Sequence, residues 1–105
     1  MRQRPYRLNV PDEIARLIRS LNPDLKRKVK SSLRIILNEP GSGKALKNEL
    51  SGLMSFRVGK FRIIYKVSSG SLIELVAIGP RVRIYEETYR MLRKELKEKS
   101  GKKRV

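Results

Sequence analysis

Arg57, Arg62 and Arg81 are the residues of this sequence whose type and spacing could do chemistry. The chain has no histidine and no cysteine. It therefore lacks the commonest general base, the commonest metal ligand and any thiolate nucleophile. A zinc enzyme or a Ser-His-Asp hydrolase is close to excluded. Guanidinium groups, by contrast, hold phosphoryl oxygens bidentately and stay charged while doing so. Set around a phosphodiester, they would stabilise the extra negative charge of a pentacoordinate transition state. With RNA as substrate, the nucleophile can be the substrate's own 2′-hydroxyl, and no metal or other cofactor is called for. Tyr85 and Tyr89, one helical turn apart, could stack on an exposed base. Lys44, Lys47, Lys60 and Arg83 could add contacts to RNA or to a ribosomal surface.

Each assignment has a plainer competitor. Arg57 and Arg62 could be solvated, or could pair with Glu74 or Glu49, since surface ion pairs are common and weak. Tyrosines at i and i+4 often pack a helix, and most loop lysines are simply hydrated. The position of the arginines in the fold decides between these readings.

The stretch Leu50 to Tyr85 reads as three consecutive strands joined by tight turns. It is rich in Ile, Val, Phe and Tyr, which suit a pleated, half-buried surface. A two-residue Gly59-Lys60 turn pairs Val58 with Phe61, Arg57 with Arg62 and Phe56 with Ile63. Arg57 and Arg62 are then cross-strand neighbours, a destabilising arrangement unless a carboxylate or an anionic ligand sits between them. A Ser69-Gly70 turn pairs Val67 with Leu72 and sets Arg62 opposite Ala77. Extending that parity past Gly79 predicts Arg81 on the same face, so that three arginines from three strands meet at one end of the sheet.

The remaining elements follow from periodicity. Arg4 to Val10 reads as a first strand with Tyr6, Leu8 and Val10 on one face. Asp12 to Leu21 carries Ile14, Leu17, Ile18 and Leu21 at helical spacing. Asn22-Pro23 caps and opens a second helix to Asn38, with Leu25, Val29, Leu33 and Ile36 on one stripe. Lys44 to Leu50 predicts a helical turn. A third helix runs from Arg83 to about Lys97, with Ile84, Thr88, Met91, Leu92 and Leu96 inward. Phe56, Phe61 and Tyr65 alternate as core residues. The fold class is α+β, in the order β-α-α-β-β-β-α. A helical hairpin covers one face of a small, mainly antiparallel sheet, and the arginines lie on the other.

At 105 residues the chain makes one domain, residues 1–98, followed by a basic tail over 99–105 that is expected to fray. Lys and Arg number 26 against 10 Asp and Glu, a formal net charge of +16. Such a field favours nucleic acid, a ribosome-like surface or a strongly acidic protein partner. No apolar run approaches a membrane span, and no signal-peptide pattern opens the sequence, so a cytoplasmic setting without membrane contact is expected.

LSGLMSFRVGKFRIIYKV, followed by an apolar strand and GPRVRIY, resembles the RelE/ParE toxins of toxin–antitoxin systems, and most nearly their RelE-type ribosome-dependent mRNA endonucleases. The L-x-G, R-V-G-x-[YF]-R-I-I-Y and R-x(3)-Y elements occur in order over Leu50 to Tyr85, and Arg4 to Asn38 is consistent with the family's strand and helical hairpin. The resemblance implies an inhibitor of translation that enters the ribosomal A site and cuts mRNA through the substrate 2′-hydroxyl, leaving a cyclic phosphate. It places Arg62 at the family's phosphate-stabilising arginine. Arg81 falls on the arginine after the last strand, with a transition-state or general-acid role. Arg57 falls on a basic strand position, and Tyr85 on a C-terminal tyrosine used for stacking or orientation. Ser55 stands where a second Lys or Arg is frequent, and Pro80 where many relatives have His or Lys, so no general base is supplied. The partner implied is an acidic antitoxin that folds as it wraps the toxin, a monomer when alone, and covers the arginines or displaces the last helix. Two alternatives stand beside it. One is a ParE-like toxin that inhibits DNA gyrase without cutting; the other is a non-catalytic RNA- or ribosome-binding module.

Overall fold

A computed structural model describes residues 6–103, with side chains through residue 95. The elements are β1 (Arg7–Asn9), α1 (Asp12–Ser20), α2 (Pro23–Asn38), β2 (Lys44–Ala45), β3 (Met54–Val58), β4 (Phe61–Ser68), β5 (Leu72–Pro80) and α3 (Arg81–Lys103). Short 3₁₀ turns lie at Pro40–Ser42 and Asn48–Leu50. The predicted α+β order holds with one addition. Lys44 to Leu50, expected as a helical turn, supplies the two-residue strand β2 before its 3₁₀ turn. Arg4, the side chain of Leu96 and the tail's Arg104 and Val105 lie outside the described residues. No helix among the described residues is long and apolar enough to cross a membrane.

The sheet has the order β1-β5-β4-β3-β2. β1 lies parallel to β5, and the other neighbours are antiparallel. The helical hairpin covers one face. Asn22 caps α2 by accepting the Leu25 N–H at 2.9 Å, and Pro23 fills the first turn, where its missing N–H costs nothing. Ile14 and Ile18 of α1, with Val29, Leu33 and Ile36 of α2, bury themselves against Val58, Ile63, Tyr65, Ile73, Leu75 and Ile78. Leu17, predicted inward, is partly exposed at 37%. Phe56 and Phe61 pack at the margin of this core, and Tyr65 is fully buried in it. On the opposite face a smaller cluster of Leu53, Ile64 and Ile84 seats α3.

The register decides which residues share that second face. Gly59 takes φ +59, as the first position of a type II′ turn requires, and the β3–β4 pairing is the predicted one: Val58 with Phe61, Arg57 with Arg62. The β4–β5 hairpin differs. Its loop is Ser69 to Ser71, with Ser71 itself at φ +59, so Ser68 pairs with Leu72 and Val67 with Ile73. A bulge between Ile64 and Tyr65 on one strand and Leu75 and Ala77 on the other adds a second one-residue shift. The two slips restore parity, and Arg62 lies opposite Gly79 rather than Ala77.

Helix α3 starts at Arg81, two residues earlier than predicted, and follows β5 without a loop. The Arg81 N–H still donates to the Lys60 carbonyl at 2.8 Å. That bond makes Phe61 and Pro80 a pair without mutual hydrogen bonds, where a proline's missing N–H removes nothing from the ladder. Gly79 lets the helix settle closely, because a Cβ there would lie 2.9 Å from Ile84 Cδ1.

Candidate functional site

Residue Arg57 of β3 and Arg62 of β4 face each other across the first hairpin. With a two-residue loop, Val58 and Phe61 exchange hydrogen bonds and the next pair out does not. Arg57 and Arg62 therefore occupy the pair type in which side chains approach most closely, with Cα atoms about 4.5 Å apart. Arg57 is exposed and makes only a long contact of Nε to the Gly59 carbonyl at 3.4 Å. Arg62 is half-buried. Its NH1 donates to Ser55 Oγ at 3.4 Å, and its buried Nε has no acceptor among the described residues.

The carboxylate explanation of this pair fails. Among the described residues the ion pairs are Arg27 with Asp24 and Arg90 with Glu86. Glu74 accepts from Ser68 Oγ at 2.7 Å and stands opposite Lys66. Glu49 lies in the 3₁₀ turn and lines a hollow with Tyr85 and Tyr89. Two like charges are thus opposed without a neutralising partner among the described residues, an arrangement suited to an external anion.

Tyr85 joins the arginine face through Ser55. Its hydroxyl is 3.1 Å from Ser55 Oγ, and Ser55 is 1% exposed. Ser55 sits on the arginine side of β3, two residues from Arg57 and opposite Ile64. Sequence reading treated Ser55 as a missing cation. The register was the available signal, since Ser55 and Arg57 must share a face.

The other predicted residues divide. Arg81 is exposed, and its backbone is fixed to the Gly59-Lys60 turn that joins the arginine pair; it stands in the first turn of α3 rather than in a strand. Lys60 is exposed in that turn. Lys44 stands opposite Ser55 in β2, on the same face. It lines, with Lys47, Asn48, Leu46, Leu50 and Tyr85, a groove of ≈ 360 Å³. Arg83 is exposed and makes no ion pair or hydrogen bond with the others. Tyr89 is set apart: it lines the hollow with Glu49 and Glu86, and Arg93 lies over its ring at 5.8 Å. Among the described residues no group of three or more His, Cys, Asp or Glu side chains could hold a metal ion.

The family model for the ParE toxin of type II toxin-antitoxin system, parDE, matches residues 9–85, a span that includes the arginines, Ser55 and Tyr85. The chain belongs to this family of toxins, within the RelE/ParE superfamily. Among solved structures it is similar to a chain of the RelBE2 toxin–antitoxin complex of Mycobacterium tuberculosis, with 25% identity, TM-score 0.65, and coverage of 73% of this chain and 99% of that one. It is also similar to a chain of the archaeal RelE–RelB complex of Pyrococcus horikoshii OT3, with 25% identity, TM-score 0.63, and coverage of 76% and 99%. A free mutant of the E. coli toxin RelE shares the fold at 16% identity and TM-score 0.65, over 83% of this chain and 93% of that one. No curated protein matches the sequence significantly.

Proposed function

We propose that this toxin is a metal-independent endoribonuclease that cuts mRNA on the ribosome. The observation that carries the reading is the opposed Arg57–Arg62 pair, without a carboxylate partner among the described residues and tied through Ser55 to Tyr85. Two guanidiniums held in unrelieved opposition suit the extra negative charge that develops on a phosphorane. The substrate 2′-hydroxyl attacks phosphorus and gives its proton to water, the bond to the 5′-oxygen breaks, that oxygen takes a proton from water, and a cyclic phosphate and a 5′-hydroxyl result. Arg62 and Arg57 hold the phosphoryl oxygens, Arg81 approaches from the helix start, and Tyr85 orients the adjoining base. Lys44, Lys47 and Lys60 extend the positive surface along the strand. The partner is an antitoxin, as in the RelB complexes of its structural relatives, and the net charge of +16 selects an acidic one.

The match to the ParE family favours a second reading, in which the toxin inhibits DNA gyrase by binding alone. Toeprinting of mRNA in programmed ribosomes, run beside a gyrase supercoiling assay, separates the two. Cleavage in the A site that falls about 10²-fold in Arg62→Ala and Arg81→Ala supports the nuclease. Intact mRNA with inhibited supercoiling establishes the binder.

A further inference from the structure

Ser55 is nearly fully buried, yet it is polar and meets two groups of the candidate site. Arg62 can only donate, so Ser55 Oγ accepts from it. A hydroxyl oxygen can accept twice and donate once, so Ser55 Oγ holds the Tyr85 hydroxyl 3.1 Å away at the same time, with either hydroxyl able to donate. Ser55 thus bridges the guanidinium and the phenol. The Tyr85 ring is also the wall shared by the groove bearing Lys44 and Lys47 and the hollow bearing Glu49, Glu86 and Tyr89. Anchoring its hydroxyl therefore fixes the shape of both.

We propose that Ser55 is a positioning residue: it couples Arg62 to Tyr85 and holds the tyrosine beside the lysine-lined groove. A second cation at this place would repel Arg62; a buried hydroxyl links the two instead. The proposal rests on the nuclease reading for its effect on rate, but the coupling itself is a property of the free protein.

The test uses the full chain with ¹³C-labelled tyrosine, the Tyr85 signal being assigned by its loss in Tyr85→Phe. Ser55→Ala is expected to shift the Tyr85 ring-carbon resonances and Ser55→Thr to restore them. On programmed ribosomes at saturating toxin, Ser55→Ala should cut the single-turnover rate by about tenfold, with half-saturation little changed. In a Tyr85→Phe background most of that loss should vanish, because the serine acts through the tyrosine. An unmoved Tyr85 signal overturns the proposal, and so does an equal rate loss in the Tyr85→Phe background, which would mark Ser55 as merely structural. If the unmodified toxin cuts nothing, the nuclease reading falls, and the resonance alone decides the coupling.

Discussion

Arg57 stands directly opposite Arg62, and no carboxylate among the described residues pairs with either. Like charges in that relation cost stability, typically about 0.2–1 kcal/mol. Arg57→Ala should therefore leave the fold as stable as before, or more stable by up to about 1 kcal/mol in low salt. The gain should shrink as salt screens the pair. Urea melts at two ionic strengths read this directly. A clear loss of stability in Arg57→Ala would show that the pair is not under repulsion.

Residue Gly79 lies beneath Ile84, where an added Cβ would come within 2.9 Å of Cδ1 and 3.7 Å of Glu87 Oε1. Ile84 is 2% exposed and precedes Tyr85, so the first turn of α3 cannot lift without moving the tyrosine. Gly79→Ala should cost about 1–3 kcal/mol by overpacking. Ile84→Val removes the clashing methyl and by itself should cost about 0.5–1.5 kcal/mol. The double variant should be more stable than the sum of the two losses predicts. Strict additivity in denaturant midpoints would place the strain elsewhere.

Much of this geometry was legible in the sequence because it depends on local rules. Gly59 at the first turn position fixes a two-residue loop, and the Arg57–Arg62 pairing follows from it. Asn22-Pro23 marks the start of α2 through capping. The second hairpin was less legible. Ser71 adopts a left-handed conformation that a serine seldom takes, and the bulge at Val76 leaves no compositional trace. Each shifts the register by one, which is why the predicted face holds for Ala77 and Gly79 but fails for Ile73 and Leu75, and why the partner of Arg62 is Gly79. The start of α3 depends on a bond from Arg81 to Lys60, and β2 exists only because Lys44 and Ala45 find β3; neither is a property of its own segment. Ser55 gained its meaning from tertiary neighbours alone.

A fixed corner at Tyr65 supports the strand that carries Lys44. Its hydroxyl donates to the Pro40 carbonyl at 2.7 Å and accepts from the Gly43 N–H at 3.0 Å. Tyr65→Phe leaves both backbone groups without that partner and should cost about 1–3 kcal/mol. Burial raises the Tyr65 pKa above its ordinary 10.0, although the hydrogen bonds from Gly43 and Ser42 act the other way. The folded state thus holds this proton more tightly than the unfolded chain does. Its contribution is complete below pH 10.0 and is lost as pH rises through the elevated folded value. Stability measured above pH 10 should fall more steeply for the native sequence than for Tyr65→Phe. Equal slopes would rule out this tyrosine as the titrating group.

Tyr85 and Tyr89 are one turn apart but face different surroundings. Tyr85 divides the groove of Lys44 and Lys47 from the hollow of Glu49 and Glu86, while Tyr89 lines the hollow and is already faced by Arg93. A base stacked on Tyr85 finds cations near its phosphates, whereas one on Tyr89 finds carboxylates. Tyr85→Leu should therefore weaken binding of an RNA oligomer carrying a 2′-deoxy residue at the scissile site by about 1–3 kcal/mol. Tyr89→Leu should leave that affinity within about twofold, under 0.5 kcal/mol. The salt dependence separates stacking from charge. Arg62→Gln should reduce the slope of log K against log salt by about 0.7, the value for one phosphate contact on a single strand, and neither tyrosine variant should change it. Titrations at several salt concentrations decide all three, and a Tyr89→Leu loss equal to that of Tyr85→Leu would move the RNA path across the acidic hollow instead.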